Sequence, residues 1–375
     1  MRKRILVICM FDSIHSARWL AQFQDQEIDF LLFPSSPHRR IHGNLKKLVS
    51  ANSTATFELF PFSRFFGLPF WIADKFLDNA IRSSLVKRTI KNFKPEIVHA
   101  LELQNAGYIA SKALAKDKPA GVKLIATNWG SDIFWFQKFP KHKQKLQELL
   151  SLADAYSCEC NRDVELAKKL GFNGLVMPVI PNAGGFSKEL MEKPLPALAE
   201  RKVIALKGYH GWVGRAKVAL EALALISGDL AGHKIVVYSA NSTTIRLAKK
   251  IAKTTGLEFE IHGKGKLSHQ GVLEMFASAK LYVGLSLSDG ISTSLLESMA
   301  MGAIPVQTET ACCDEWFNET GVSVKEITPE AVAKKIQEAL ELAKEQTNSD
   351  LNREKIRTNA DAEHVAAMAK RFYSN

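Results

Sequence analysis

Short apolar runs alternate with helix-length amphipathic segments along most of the chain. Ile5–Cys9, Ile28–Phe33, Ile97–Ala100, Lys123–Ala126 and Ala155–Cys158 are brief and rich in β-branched or apolar residues, which predicts buried strands. Ala17–Gln24, Ala106–Ala115, Lys143–Leu152 and Asp163–Leu170 lie between or after them and predict helices. Such alternation makes parallel βαβ units, and right-handed crossovers that cover both faces turn these into a doubly wound sheet. The stretch MPVIPNAGGFSKELMEKPLPALAE (177–200) breaks the rhythm with four prolines and two glycines and reads as a linker. The pattern then restarts with strands at Val203–Leu206, Lys234–Tyr238, Glu258–His262, Leu281–Leu285 and Ile304–Gln307. Helices are expected at Ala216–Ile226, Thr243–Thr254, Gln270–Ser278 and Thr293–Met301. The expectation is therefore an α/β chain of two doubly wound domains, residues 1–180 and 201–359, joined by 181–200 and facing a central cleft. The helical tail, 360–375, is expected to cross back to the first domain.

A chain of 375 residues is long for one core and suits two. No apolar run reaches the roughly 18–20 residues needed to span a bilayer. The start, MRKRILVICMF, is basic then apolar, but Asp12, His15 and Arg18 stand where a small-residue cleavage site would be, so Ile5–Cys9 reads as a strand. Five cysteines, with Cys158 and Cys160 two apart and Cys312 and Cys313 adjacent, fit neither a disulfide framework nor a zinc site, and read as reduced thiols in the cytoplasm. The formal net charge is +11, and the first hundred residues hold 15 Lys/Arg against 8 Asp/Glu. That surplus favours anionic partners: nucleic acid, an anionic membrane or an anionic substrate.

The segment SDGISTSLLESMAMGAIPVQ (288–307) narrows the choice. Asp289 and Gly290 fall in the loop after the predicted strand Leu281–Leu285, and Glu297 falls one turn into the following helix. Ser294 with Glu297 also fits a capping box, in which the acid merely ties down backbone N–H groups. The other reading uses the same geometry. Gly290 lets a ligand approach, the amides of Ile291, Ser292, Thr293 and Ser294 point from a helix N-terminus that suits phosphate, and a carboxylate on either side accepts from hydroxyls. A phosphate-linked molecule with a polyol at each end is a nucleotide sugar.

DGISTSLLESMAMGAIPV resembles the signature of family 4 glycosyltransferases, retaining enzymes of the two-Rossmann GT-B fold, in which Glu-x₇-Glu is followed by a small-rich helix and Gly-x-Pro-Val. Asp289 stands at the first acid, one methylene shorter, and Glu297 at the second. The resemblance implies that Asp289 meets the donor sugar, Glu297 the ribose, and the intervening amides the sugar and diphosphate. It also implies hexosyl transfer with retention from a nucleoside-diphosphate sugar, a substrate rather than a cofactor, in cell-surface or lipid-linked glycan assembly. On that basis residues 1–180 form the acceptor domain and 201–359 the donor domain.

Other positions follow from the expected strand ends. In IALKGYHGWVGRAK (204–217), Lys207 and Arg215 would offset the charge of the departing diphosphate, although Lys-Gly and Gly-Arg stand in the opposite order to the family pattern. No Asp-x-Asp follows a strand, so no metal is expected. His262, Gly263 and Lys264 lie in the loop expected beside the nucleobase. On the acceptor side the candidates are His15, where relatives have a Gly-Gly, His99, and Asp132, near a position where many relatives have a His. Residues 60–95 mix aromatics with Arg64, Lys75, Arg82, Lys87, Arg88, Lys91 and Lys94, a composition that suits the inner face of an anionic membrane. Nucleic acid is not the expected partner, given the intact acid pair. The rival readings are a nucleotide-sugar epimerase and a non-catalytic nucleotide- or nucleic-acid-binding module.

Overall fold

The computed structural model describes residues 2–36, 40–51, 54–60, 67–181 and 184–374. The chain divides into two compact units, residues 1–184 with 365–375, and residues 185–364.

Among the described residues the first unit holds seven strands: β1 (Lys3–Cys9), β2 (Ile28–Pro34), β3 (Thr56–Leu59), β4 (Ile97–Leu101), β5 (Lys123–Thr127), β6 (Ala155–Ser157) and β7 (Leu175–Val176). All are parallel, in the order β3-β2-β1-β4-β5-β6-β7. Strands β1 and β4 are buried on both faces, as central parallel strands must be when helices cover both sides. Alternate residues serve different cores: Leu6, Ile8, Val98, Ala100, Leu124 and Ala126 face one cluster, and Ile5, Val7, Ile97, Leu101 and Ile125 the other.

The second unit holds β8 (Val203–Lys207), β9 (Lys234–Ala240), β10 (Glu258–Gly263), β11 (Ala279–Gly284), β12 (Ile304–Thr308) and β13 (Val322–Val324), all parallel, in the order β10-β9-β8-β11-β12-β13. The order reverses direction between β8 and β11. At such a point the two flanking crossovers leave on opposite faces and open a crevice at the strands' carboxyl ends.

Three strands depart from the sequence reading. β3, β7 and β13 span four, two and three residues, too short for periodicity to register. The helix expected at Ala106–Ala115 is preceded by a π-helical turn, Leu103–Gly107, because the Glu102 carboxylate accepts from Asn105 N at 3.0 Å and Ala106 N at 2.7 Å. Within residues 60–95, Arg64 and its neighbours 61–66 lie outside the described residues. Arg82, grouped above with outward-facing cations, is instead buried: its guanidinium is paired with Asp74 and bonds Asn79 Oδ1 at 2.8 Å.

The C-terminal residues 365–375 belong to the first unit. Phe372 and Tyr373 are buried in its core, and Tyr373 packs on Phe23 at 4.6 Å between ring centroids. His99, on β4, fixes them. Its Nδ1 lies 2.6 Å from Tyr373 Oη and its Nε2 2.6 Å from Thr127 Oγ1. Burial lowers the His99 pKa to about 3.

That shift sets a pH dependence. The folded protein keeps His99 neutral while the unfolded chain protonates near pH 6.5, so this contribution is intact above that pH and is lost as pH falls from about 6.5 toward 3. The expected slope approaches about 1.4 kcal/mol per pH unit. Chemical denaturation of wild type and His99→Gln between pH 7 and 4.5 measures it, and the variant should show the shallower decline.

Candidate functional site

The reversal point of the second sheet brings two loops together. The loop after β8, residues 208–215, and the loop after β11, residues 285–292, pair with each other: Arg215 N donates to Leu285 O at 3.0 Å and Leu287 N to Val213 O at 2.9 Å. Gly208 is required by space, since a Cβ there would lie 2.8 Å from Tyr238 O. The second loop is also stitched to the end of β12, where Thr308 Oγ1 accepts from Ser286 N at 3.0 Å and Thr310 O from Asp289 N at 3.2 Å. Both loops are thus held by backbone hydrogen bonds at the mouth of the sheet.

Three charged side chains meet there. Lys207, the last residue of β8, is half-buried, and its Nζ donates to Ser292 Oγ at 3.2 Å. Desolvation works against its charge, but the fields of Tyr282, Asp289 and Glu297 outweigh it and hold its pKa above the usual lysine value. Asp289 stands in the β11 loop, half-buried, and its own Oδ1 accepts from Gly290 N at 3.0 Å. Glu297 is 6% exposed, and its Oε1 lies 2.7 Å from His269 Nε2.

This geometry rules out the capping-box reading. The helix spans Thr293–Ala300 and its cap is Ser292, not Ser294, so Glu297 lies too deep in the helix to bond back to the cap. Its carboxylate instead points toward the helix His269–Ser278, whose own cap, Ser268, accepts from Gly271 N. The residues Gly290 to Ser294 do form the turn into the helix, as expected, with Ile291 and Ser292 buried and Thr293 and Ser294 half-buried.

The remaining candidates fall as follows. Arg215 Nη1 donates to the carbonyls of Gly211, at 2.9 Å, and Gly214, at 2.8 Å, so the side chain braces its own loop. His262 lies on the edge strand β10, where Nε2 bonds Glu260 Oε1 at 2.6 Å. Gly263 ends that strand, and Lys264 N bonds Ala240 O at 3.1 Å. The loop they begin leads to Glu297 through His269, which sequence reasoning passed over. Its signal was the Ser268-His269 pair at a helix start, easily read as a cap alone.

In the first unit, His15 sits in the first turn of the helix Ile14–Ala21, its ring 6.3 Å from that of Trp129. The two rings line a cavity of about 10 Å³, room for a single water. His99 must be withdrawn from the acceptor side: it is fully buried and both ring nitrogens are engaged. Asp132 must be withdrawn as well. It is 8% exposed and pins two loops together, accepting from Leu103 N at 2.7 Å and Trp129 N at 3.4 Å; burial and then the nearby Glu102 push its pKa up.

Comparison with known proteins matches this arrangement to a family. Residues 188–358 match the model for glycosyl transferases group 1, and residues 4–159 match that for glycosyl transferase 4-like domains. The chain is built of two glycosyltransferase domains. No curated protein matches it by sequence. Among solved structures, this glycosyltransferase resembles sucrose-phosphate synthase from Thermosynechococcus elongatus, at 13% identity and a TM-score of 0.73 over 99% of this chain and 98% of that one. It resembles a glycosyltransferase from Rickettsia africae at 13% identity, with a TM-score of 0.69 and the same coverage. It also resembles Anabaena HepE in complex with UDP-glucose, at 14% identity, with a TM-score of 0.68 over 99% of each chain. At such identities the likeness establishes the fold, the GT-B pair of Rossmann-like domains.

The charge cluster of this glycosyltransferase yields a stability prediction. Lys207→Met leaves a nearly buried carboxylate without its neighbouring ammonium, so stability at pH 7 should fall by about 1–3 kcal/mol. The raised lysine pKa means that this contribution is fully present at neutral pH and is lost only on the alkaline side, above about pH 10. Urea denaturation of Lys207→Met, Glu297→Gln and the double variant checks it: the two losses should be less than additive.

Proposed function

We propose that the protein is a retaining hexosyltransferase that uses a nucleoside-diphosphate sugar and a hydroxyl acceptor. The observation that carries this reading is the cluster at the reversal point, with Lys207, Asp289 and Glu297 gathered around the N-terminus of the helix Thr293–Ala300. The helix end and Lys207 suit the diphosphate. Asp289, beside them in the loop, accepts from sugar hydroxyls. Glu297 accepts from the ribose through Oε2, while His269 holds Oε1. His262, Gly263 and Lys264 open the loop that borders the base. Anabaena HepE has been solved with UDP and with UDP-glucose, which makes uridine diphosphate the first nucleotide to try.

In the reaction the bond from the anomeric carbon to the leaving phosphate oxygen breaks, and the acceptor oxygen bonds that carbon from the same face. The acceptor proton passes to the departing phosphate, which serves as the base. Lys207, Arg215 and the helix dipole stabilise the charge that develops on the diphosphate, the work a metal ion does elsewhere. Arg215 does so once it releases its own loop carbonyls. The donor occupies residues 201–359, beyond the 181–200 linker, and the acceptor is assigned to residues 1–180, where His15 remains the candidate contact. The acceptor is a glycan or a lipid-linked glycan on the cytoplasmic face of an anionic membrane.

Asp289→Asn should lower transfer by about 10²–10³-fold while leaving the nucleoside-diphosphate affinity unchanged, because its contacts are to the sugar. Glu297→Ala should instead weaken donor binding, with His269→Ala intermediate. Turnover and donor KM on purified, folded variants measure this. Unchanged turnover in Asp289→Asn, or a changed sugar released from donor alone, would count against transfer at this site.

A further inference from the structure

The helix Leu68–Phe76 is inside out. Its charged residues turn inward. Asp74 is fully buried, paired with Arg82, and accepts from Ile81 N at 2.8 Å and Arg82 N at 3.2 Å. Lys75 Nζ donates to Asn105 Oδ1 at 2.9 Å and sits 5.5 Å from the Trp71 ring centroid. At 100° per residue, Pro69, Phe70, Ile72, Ala73, Phe76 and Leu77 span an arc of about 160° on the other side, and all six are exposed. Phe76 is 87% exposed, Leu77 56%, Ile72 42% and Phe70 37%. An ordinary surface helix does the reverse, and a contiguous apolar face of this kind marks an interaction site.

This face is firmly held. Beyond the Asp74–Arg82 pair, the adjoining Asp78 is in ion pairs with both Lys112 and Lys145. The chain turns through left-handed conformations at Asp78 (φ 52°) and Asn79 (φ 62°) into the helix Ala80–Phe93. That second helix contains no carboxylate and exposes Lys87, Arg88 and Lys91, with Lys94 exposed just beyond it. Lys87 is in an ion pair with the exposed Asp117 at 3.3 Å, and Glu96 is exposed nearby, but Arg88, Lys91 and Lys94 leave the segment a surplus of cations. An apolar face followed along the chain by such a surplus complements a surface that is apolar inside and negative at its rim.

We propose that the outward face of Leu68–Phe76, continued to Leu77, inserts into the interface of an anionic lipid bilayer, with Lys87, Arg88, Lys91 and Lys94 against the head groups. This deepens the membrane setting proposed above and names the residues that make the contact; the transferase reading enters only through the acceptor that such a surface would present.

The test is sedimentation of the full chain, without donor, with phosphatidylcholine vesicles and with vesicles containing a quarter phosphatidylglycerol. Wild type should partition onto the anionic vesicles at least tenfold better than onto the neutral ones, and raising the salt should weaken it. Phe76→Glu/Leu77→Glu replaces two exposed residues, so the fold should persist by circular dichroism, and the partition coefficient should drop at least tenfold. Lys87→Glu/Lys91→Glu should remove the preference for anionic lipid. Wild type that stays in the supernatant with anionic vesicles, or a Phe76/Leu77 variant that binds as wild type does, overturns the proposal. So does a wild-type dimer that the variant converts to a monomer without any vesicle binding, since a second copy would then cover the face. Vesicle binding together with failed transfer would overturn the transferase reading and leave this one standing. Transfer to a soluble acceptor without vesicle binding would do the opposite.

Discussion

A lysine ammonium drawn partly out of water at the end of a central strand needs negative charge nearby, and the second unit is organised around meeting that need. Lys207 closes β8, where the doubly wound order reverses, and Ser292, Asp289 and Glu297 supply the polar and anionic company that keeps it charged. Two of those three come from one loop, the third from the helix it leads into. The paired backbone of the loops after β8 and β11 is what brings them within reach. Shifting either loop would separate the charges, and the desolvation of Lys207 would then go uncompensated. On the proposed function the same cluster would offer a diphosphate its cation and helix end and offer hydroxyl groups two acceptors, so that stability and ligand chemistry would draw on one set of contacts.

The first unit uses buried charge differently. Asp74 with Arg82, Glu102 over its π turn, and Asp132 between two loops each tie irregular backbone to the sheet. His99 does the same for the C-terminal residues through Tyr373. These groups are nearly or wholly enclosed, and their partners are chiefly backbone amides or neighbouring side chains. His99 and Asp132 look like catalytic candidates in a sequence because they lie at or after strands, yet what they do here is hold neighbouring segments in place. The segment that carries the Asp74–Arg82 pair also forms a helix whose charged side is engaged in anchoring and whose apolar side is exposed.

Much of the architecture was legible because strand burial and helix spacing leave strong patterns. Ten strands and the helices expected from spacing fall within a few residues of where periodicity puts them, whereas the helices Gly43–Ser50, Leu68–Phe76 and Ala80–Phe93 carried no such expectation. The acid pair stands at a strand's carboxyl end as its spacing suggests. Short edge elements escaped because two to four residues carry no period. What the sequence hid at the site were long-range partners. His99 is spent on Tyr373, 274 residues away, and Glu297 Oε1 is held by His269, 28 residues before it. Local spacing left a cap open as the rival reading for Glu297, and the helix start at Thr293 removes it. His262 drew attention by following a strand, but its neighbour two residues back, Glu260, satisfies it.

The claim on which the account turns is that Glu297 accepts from the ribose of a nucleoside diphosphate. Calorimetric titration of wild type and Glu297→Ala with uridine diphosphate and its 2′,3′-dideoxy counterpart tests it directly. The account predicts that wild type binds the ribose form at least tenfold more tightly than the dideoxy form, and that the variant binds both equally. An equal preference in both proteins, or none in wild type, would contradict it.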